Sequence, residues 1–316
     1  MDTAALVEGL LRGERRALAR VLTRIEDGSA NVVREIVGRL HPHTGRAALV
    51  GVTGAPGAGK STLVNALISV WRTQGRRVAV LAVDPTSPFS GGALLGDRVR
   101  MQDHVLDDGV FVRSMASRGQ LGGLSWATPQ ALLAFDAAGF DVVVIETVGV
   151  GQAEVEVAGV ADTTVVVVAP GMGDAIQAAK AGILEVADVF CVNKADRPGA
   201  SRTMAELREL QALGDRDRAV PIVSTTASDG DGVEDLADAI DAHRDALVTG
   251  GGLEARHRMR ARWQIRELAL GTVRERAATL TGAAGLDDLA AAVADRELDP
   301  YTAADRLLAE LERRPA

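Results

Sequence analysis

The residues best suited to chemistry lie in segment 47–62, which reads AALVGVTGAPGAGKST. This segment contains the spacing G-x-x-x-x-G-K-[ST] from Gly54 to Ser61, between an apolar, β-prone run and a helical pattern. In such a loop the backbone N–H groups turn inward around phosphate oxygens, and the following helix directs its positive end at the same anion. The pattern predicts a phosphate-binding loop, with a glycine-rich turn that holds no ligand as the alternative.

The predicted phosphate contacts extend through the loop into the first helical turn. Lys60 is expected to reach the β- and γ-phosphates, and Ser61 to offer its hydroxyl to Mg²⁺. The residues predicted to bind the nucleotide here are Gly54, Ala55, Pro56, Gly57, Ala58, Gly59, Lys60, Ser61 and Thr62.

A second group, Asn193-Lys194-Ala195-Asp196, directly follows an apolar run. The Asp196 carboxylate can accept hydrogen bonds from N1–H and the 2-amino group of guanine, and adenine lacks both donors in that arrangement. We expect the Lys194 stem to cover the base and Asn193 to tie this segment to the phosphate loop. The pattern therefore favours GTP over ATP. Backbone contacts to the base edge are expected from Ser224, Thr225 and Thr226, at the end of a later strand.

Three acidic residues are candidates for the metal side of this site. Glu146 follows a buried run in a Glu-x-x-Gly arrangement, so it could hold Mg²⁺ through water, while the N–H of Gly149 could bind the γ-phosphate. A buried Glu146 in a purely structural role would still need a cation or donors. Asp84 ends a strand and Asp97 closes a glycine-rich stretch, and for each of them helix capping is the alternative. The predicted catalytic set is Lys60, Asp97, Glu146 and Gly149.

The elements that must position these residues alternate between strand and helix from residue 47 to about residue 247. Most strand runs are continuous in Val, Ile and Leu, as expected for a parallel sheet that is buried on both faces. The sequence predicts a doubly wound α/β domain with its ligand at the carboxyl ends of the strands. Strands are predicted at 48–53, 78–83, 110–113, 141–145, 163–169, 188–193 and 220–223. Helices are predicted at 61–73, 126–138, 174–186, 201–213 and 231–247.

Helical regions flank the predicted α/β domain on both sides. Apolar residues recur at helical spacing before it, and after three consecutive glycines the chain again shows helical patterns without strand signals. We predict an N-terminal helical extension at 1–46, a nucleotide-binding domain at 47–248 and a C-terminal helical region at 253–316. The last region cannot bury itself alone, so it must pack on the domain, a partner or another copy.

Composition argues against several functional classes. With 47% hydrophobic residues the chain can bury a sizeable core, and its net charge of −8 argues against general nucleic-acid or membrane-surface binding. The single cysteine, Cys191, lies in an apolar run and is expected to be a buried strand thiol. We find no signal-peptide pattern and no run of membrane-span length, and therefore expect a cytoplasmic protein without disulfides. The five scattered histidines do not suggest a metal cluster.

Taken together, the motifs resemble those of the MeaB/ArgK family, the G-protein chaperones of cobalamin-dependent acyl-CoA mutases, including methylmalonyl-CoA mutase. The resemblance is carried by GAPGAGKST, VDPTSPFSGGALLGDRVRM, IETVGVGQAE and NKAD, and it covers nearly the whole chain. It implies an α/β P-loop NTPase of the class that includes signal-recognition-particle, MinD-like and metal-insertion GTPases. That fold has a mostly parallel sheet flanked by helices, here with N- and C-terminal helical extensions.

The resemblance also implies an activity and partners. GTP would be hydrolysed to GDP and phosphate in a Mg²⁺-dependent reaction that gates loading of adenosylcobalamin into the mutase and protects it. The implied partners are the mutase, its adenosyltransferase, and a second copy bound through the C-terminal helices as a homodimer. A cobalamin site is not expected in this chain, because the sequence lacks a D-x-H-x-x-G-type motif.

Metal and switch positions are carried over from the same resemblance. The Mg²⁺ site, with its second shell, would involve Ser61, Asp84, Asp97 and Glu146. Switch I would be residues 85–101, switch II residues 146–156, and a third switch that signals to the mutase residues 169–180. An ordinary strand-to-helix loop capped by Asp174 is the alternative for the third switch.

Three other functions remain open at the level of sequence. Some relatives carry the name of transport-system kinases, but a kinase needs a phosphoacceptor pocket, and no further base is placed for one. A nickel-enzyme metallochaperone would carry Cys/His clusters near the nucleotide. The third is a non-catalytic module that only binds nucleotide, and the intact Lys60, Ser61 and Glu146 argue against it.

Overall fold

The computed structural model describes residues 2–84, 104, 106–116, 127–147, 153–171, 185–212, 220–281 and 285–313. The chain divides into two compact units, Met1–His257 and Arg258–Ala316. The first unit contains a group of N-terminal helices and a seven-stranded sheet. The second unit is helical in its described part.

The helices are distributed along the whole chain. They are α1 (Thr3–Leu11), α2 (Arg15–Asp27), α3 (Ala30–Leu40), α4 (Lys60–Thr73), α5 (Thr128–Ala137), α6 (Ala153–Val160), α7 (Ala200–Ala212), α8 (Val233–Thr249), α9 (Gly252–Thr281), α10 (Gly285–Ala294) and α11 (Pro300–Arg313). A short 3-10 helix, His41–His43, joins α3 to the first strand. Among the described residues, none of these helices has the length and apolar character required to cross a bilayer.

All paired strands of the sheet are parallel, in the order β3-β2-β4-β1-β5-β6-β7. The strands are β1 (Ala48–Thr53), β2 (Val78–Asp84), β3 (Val110–Ala116), β4 (Val142–Thr147), β5 (Thr163–Val168), β6 (Val189–Asn193) and β7 (Ile222–Thr225). With its flanking helices, this sheet confirms the predicted α/β class. Because parallel strands expose their carboxyl ends at one edge, segments distant in sequence meet there.

The sheet is buried on both faces, as the continuous apolar runs predicted. Alternate residues of one strand enter different clusters: Val165 and Val167 pack with α4 and α8, whereas Val166 and Val168 pack with α7. At Gly51 a Cβ would overlap with the Val157 side chain, so glycine allows α6 to approach β1 closely. The strands that carry the motifs are therefore held between two layers of helices.

The N-terminal helices cover the edge of the sheet at β3. Helix α2 buries Leu18, Val21, Leu22 and Ile25 on one side. From the same helix, Arg15 Nη1 donates to the carbonyl oxygen of Val110 at 2.6 Å, and Glu26 pairs with Arg113 at 2.7 Å. The bond from Arg15 uses a backbone carbonyl of an edge strand that would otherwise be open to pairing with another chain.

Several predicted strands and helices begin or end one to three residues from their predicted bounds. The strand predicted at 220–223 is found at Ile222–Thr225, because the side chain of Gln211 engages both backbone groups of Val220: Val220 N donates to Oε1 at 2.8 Å and Nε2 donates to Val220 O at 3.0 Å. The strand predicted at 110–113 continues to Ala116. Most of the helix predicted at 174–186 lies outside the described residues.

Candidate nucleotide-binding site

The phosphate loop, residues 54–61, leaves the carboxyl end of β1 and enters α4, which begins at Lys60. Gly54 and Gly59 have φ angles of 135° and 91°, values that L side chains rarely adopt. A Cβ at Gly54 would overlap with the carbonyl oxygen of Val167, and one at Gly59 would overlap with Nδ2 of Asn193. Both glycines are required because the loop is enclosed by the ends of β5 and β6.

The side chain of Lys60 folds back on the phosphate loop and binds its carbonyl groups. Lys60 is only 7% exposed, and its Nζ donates to the carbonyl oxygens of Gly54 at 2.7 Å and Ala55 at 3.2 Å. The tip formed by Pro56 and Gly57 is exposed, as is Thr62 in the first turn of α4. An ammonium group in this position is suited to exchange backbone carbonyls for phosphate oxygens when a nucleotide enters.

Ser61 and Glu146 form a buried polar pair beside the loop. The Ser61 hydroxyl donates to Oε1 of Glu146 at 2.6 Å, and Glu146 is 2% exposed. The two residues meet because β1 and β4 are parallel neighbours, with Val52 opposite Glu146. A hydroxyl and a carboxylate are hard oxygen ligands, and Mg²⁺ in phosphate sites is bound by few protein groups together with phosphate and water. The pair therefore fits a magnesium ion or its hydration shell.

The structure describes only one of the two other predicted metal residues, Asp84, and does not describe Asp97. Asp84 ends β2, whose neighbour β4 places Thr147 opposite Val83, so its backbone is at the same edge of the sheet. Asp97 and Gly149 lie outside the described residues, as does the whole of the region predicted as switch I, residues 85–101. Within the described ranges there is no group of three or more His, Cys, Asp or Glu residues that could hold a metal ion. The described metal side of the site is thus limited to Ser61 and Glu146.

A threonine pair, which the sequence analysis missed, bridges the ends of two central strands. The Thr147 hydroxyl donates to Oγ1 of Thr53 at 3.1 Å, and both side chains are buried. Each threonine is the last residue of its strand, next to a motif, and this is the only sequence signal that could have identified it. The bond holds together the strand ends that carry the phosphate loop and Glu146.

The base segment, residues 193–196, begins at the last residue of β6 and contacts the phosphate loop directly. Asn193 Nδ2 donates to the carbonyl oxygen of Ala58 at 2.9 Å, and Lys194 Nζ donates to that of Gly57 at 2.7 Å. Lys194 has a φ angle of 58°, in the left-handed region that few residues other than glycine occupy. Asp196 is exposed, so its carboxylate is accessible to a ligand.

The three residues at the end of β7, which is the neighbour of β6, divide into exposed and buried positions. Ser224 is exposed, whereas Thr225 and Thr226 are buried. The carbonyl oxygen of Thr225 accepts from Ala195 N at 3.0 Å, and its hydroxyl donates to Oδ1 of Asn193 at 3.1 Å. The side chain of Thr225 is therefore directed at the base segment from inside the protein. The Ala227 N–H, which the sequence analysis missed, also donates to Asn193 Oδ1, at 3.2 Å.

Comparison with known proteins agrees with this geometry. The family model described as "Methylmalonyl Co-A mutase-associated GTPase MeaB" matches residues 18–281. A protein of Pyrococcus abyssi, which carries the name of a predicted GTPase, is 45% identical over 311 residues, covering 97% of this chain and 96% of its own length. A mouse protein named methylmalonic aciduria type A homolog, mitochondrial, is 34% identical over 273 residues, covering 79% of this chain and 65% of its own.

A solved structure gives the same result for the fold. It is described as a LAO/AO transport system kinase and is 26% identical in sequence. The similarity covers 98% of this chain and 97% of that chain, with a TM-score of 0.72. The resemblance drawn from the motifs is thereby confirmed.

The Ser61–Glu146 pair predicts how the protein depends on magnesium. Glu146→Gln keeps the shape of the side chain but removes its charge, so we expect the Mg²⁺ concentration for half-maximal GTP hydrolysis to rise about 10- to 100-fold. A Mg²⁺ titration of phosphate release measures this. Asp136→Asn is the control, because Asp136 is another buried acid that accepts the N–H groups of Gly45, Arg46 and Ala47 far from the phosphate loop. An unchanged midpoint in Glu146→Gln would remove Glu146 from the metal site.

The role predicted for Asp196 implies that Asp196→Asn changes which nucleotide base the protein prefers. In Asp196→Asn the side-chain oxygen can still accept from N1–H of a purine, but the amide now donates to a 2-carbonyl, which xanthine has in place of the guanine 2-amino group. We expect the affinity of the variant for GDP to fall by about 100-fold, since charge-assisted bonds are lost. Its affinity for XDP should rise above its affinity for GDP. Competition titrations with a fluorescent nucleotide measure both. Asp229→Asn, an exposed acid in the loop after β7, should leave both affinities unchanged.

Proposed function

The chain belongs to the MeaB family of GTPases, and from this premise we propose that it is a Mg²⁺-dependent G-protein chaperone of an adenosylcobalamin-dependent acyl-CoA mutase, with methylmalonyl-CoA mutase as its first candidate client. The observation that carries the nucleotide part is the contact of the base segment with the phosphate loop, through Asn193 and Ala58. The description of the family as mutase-associated supports the client. The protein would use GTP hydrolysis to gate loading of the cofactor and to protect the mutase.

The chain's own residues would act on GTP mainly by positioning and neutralisation of charge. Lys60 would leave the carbonyl oxygens of Gly54 and Ala55 and contact the β- and γ-phosphates. Ser61 and Glu146 would hold the Mg²⁺ ion, which supplies positive charge beside the transferred phosphoryl group. Asp97 and Gly149 are proposed to complete the γ-phosphate side. Among the described residues no group is placed to orient the attacking water, so we expect slow turnover that the mutase accelerates.

The third switch is proposed as the route by which the nucleotide state reaches the mutase. Its described part, residues 169–171, follows β5, and Ala169 is buried at the end of that strand. The backbone of β5 touches the phosphate loop, because a Cβ at Gly54 would overlap with Val167 O. This contact supports the proposal, since a shift of the loop must alter the end of β5. Residues 172–180 lie outside the described part of the chain.

Two rival functions receive less support. The kinase reading is supported here only by the description of one similar structure as a transport-system kinase. A metallochaperone role would require Cys/His ligands, and the described residues include no group of three or more His, Cys, Asp or Glu side chains that could hold a metal ion. We further propose a cytoplasmic location, with the adenosyltransferase as a second partner and the cobalamin bound by these partners.

Phosphate release tests the proposal. We expect GTP to be hydrolysed at least about 100-fold faster than ATP at equal concentration, as two base-specific bonds would give. The B12-dependent methylmalonyl-CoA mutase of the same organism should accelerate the GTP reaction, and heat-denatured mutase is the control. With γ-labelled GTP, label in free phosphate supports the GTPase. Label on protein supports the kinase, and GTP hydrolysis unchanged by the mutase would require another client.

The exposed apolar side chains of the second unit support a homodimer. Ile265 and Leu268 on α9 are 68% and 53% exposed, and they lie three residues apart on the helix. Ala303 is the one buried hydrophobic residue recorded for the described part of this unit. Large apolar patches on a soluble chain indicate an interaction site. We therefore propose that α9 packs against a second copy.

If α9 forms the proposed dimer interface, a double variant of this helix should have a lower molar mass in solution. Ile265→Glu with Leu268→Glu would place charges in an apolar interface, so we expect the mass from light scattering to fall from two chains to one. The matched control is Arg262→Glu with Arg266→Glu, which alters charge on the same helix without removing apolar surface. If the apolar variant keeps the mass of two chains, α9 is not the interface.

A further inference from the structure

The only cysteine of the chain lies at the inner end of a hydrogen-bonded chain that reaches the phosphate loop. Cys191 Sγ and Thr225 Oγ1 are 3.2 Å apart, Thr225 Oγ1 is 3.1 Å from Asn193 Oδ1, and Asn193 Nδ2 is 2.9 Å from the carbonyl oxygen of Ala58. The side chains of Cys191, Thr225 and Asn193 are 0%, 1% and 2% exposed, so solvent does not compete for these bonds. The chain thus connects the core of β6 with the site.

The surroundings of Asn193 fix the direction of every proton. Its Oδ1 faces the backbone N–H of Ala227, which can only donate, and its Nδ2 faces the Ala58 carbonyl, which can only accept. The amide oxygen carries no proton, so the Thr225 hydroxyl must donate to it. The hydroxyl has one proton and has then used it, which leaves its oxygen as an acceptor towards Cys191. The thiol is therefore the donor.

Cys191 can donate to Thr225 only if its thiol is protonated, and burial keeps it so. Burial raises the pKa of Cys191 to about 12, because the apolar surroundings disfavour the thiolate. The neutral S–H group is thus present at every pH at which the protein would act. Packing alone does not call for sulfur here, since the inward-facing residue two positions earlier, Val189, fills the same cluster with a hydrocarbon side chain.

We propose that Cys191 and Thr225 are positioning residues for base recognition: the thiol orients the Thr225 hydroxyl, and the hydroxyl orients the Asn193 amide that joins the base segment to the phosphate loop. This inference rests on the proposed guanine site. Thr225 holds the base segment at a second point, because its carbonyl oxygen accepts from Ala195 N. A change in the rotamer of Asn193 would shift the base segment, and with it the Asp196 carboxylate.

The S–H stretching band in the Raman spectrum tests the donor assignment without any nucleotide. One cysteine gives one band, so its assignment is unambiguous. Donation to oxygen weakens the S–H bond, and we expect the band to move to higher wavenumber in Thr225→Val and to stay near its original position in Thr225→Ser. If the Thr225→Val band does not move, the thiol does not donate to Thr225 and the inference is wrong.

Nucleotide binding tests the consequence for the site. Cys191→Val removes the donor and fills the position with a slightly larger hydrocarbon side chain, so we expect GDP affinity to fall about two- to five-fold, as for one weak hydrogen bond, with a smaller preference for GDP over ADP. Cys191→Ser keeps a donor and should restore both within a factor of about two. Val189→Ala is the control, because it opens the same core face without touching the chain.

The outcomes separate this inference from the function on which it rests. If Cys191→Val and Val189→Ala weaken GDP binding equally, or if Cys191→Ser fails to restore it in a folded protein, Cys191 acts by packing alone and the inference is overturned. If the wild-type protein shows no preference for GDP over ADP, the proposed guanine site fails instead. In that case the Raman comparison still decides whether the hydrogen-bonded chain exists.

Discussion

The site depends on the close approach of three backbone segments at the carboxyl edge of the sheet. The phosphate loop lies between the end of β5 and the base segment, and it fits only because Gly54 and Gly59 carry no Cβ. Asn193 uses this proximity, since its amide reaches the carbonyl oxygen of Ala58. The segments proposed to bind the phosphates and the base are therefore parts of one packed unit.

The two edges of the sheet use buried acids in different ways. At the amino edge, Asp136, Asp162 and Asp188 accept backbone N–H groups from neighbouring segments, and Asp188 also pairs with Arg256 at 2.6 Å. At the carboxyl edge, Glu146 accepts a hydroxyl proton from Ser61. Backbone N–H bonds satisfy a carboxylate permanently, whereas a hydroxyl can turn away to let a cation bind. This difference agrees with the metal role proposed for Glu146.

Much of this arrangement was readable from the sequence, because it depends on local patterns. Glycine spacing and continuous apolar runs predicted the phosphate loop, the parallel sheet and the edge at which the ligand binds. The same reasoning predicted Cys191 as a buried strand thiol, which it is, but not its contact with Thr225, because 34 residues separate the two. The pairing of Arg113 with Glu26 and the position of Val220 against Gln211 were likewise hidden, since side-chain contacts between elements leave no periodic signal.

Strand β5 is bonded to polar side chains at its start and contacts the phosphate loop at its end. Near its start, Thr163 Oγ1 lies 2.9 Å from His243 Nδ1, and Thr164 N donates to Asp188, which Arg256 in the first turns of α9 also binds. These bonds fix the base of the strand. At its end the Val167 carbonyl meets Gly54, with no side chain between the two backbones to absorb a displacement. This arrangement supports the proposed third switch, because a shift of the phosphate loop would press on the end of β5 while these bonds hold the start of the strand.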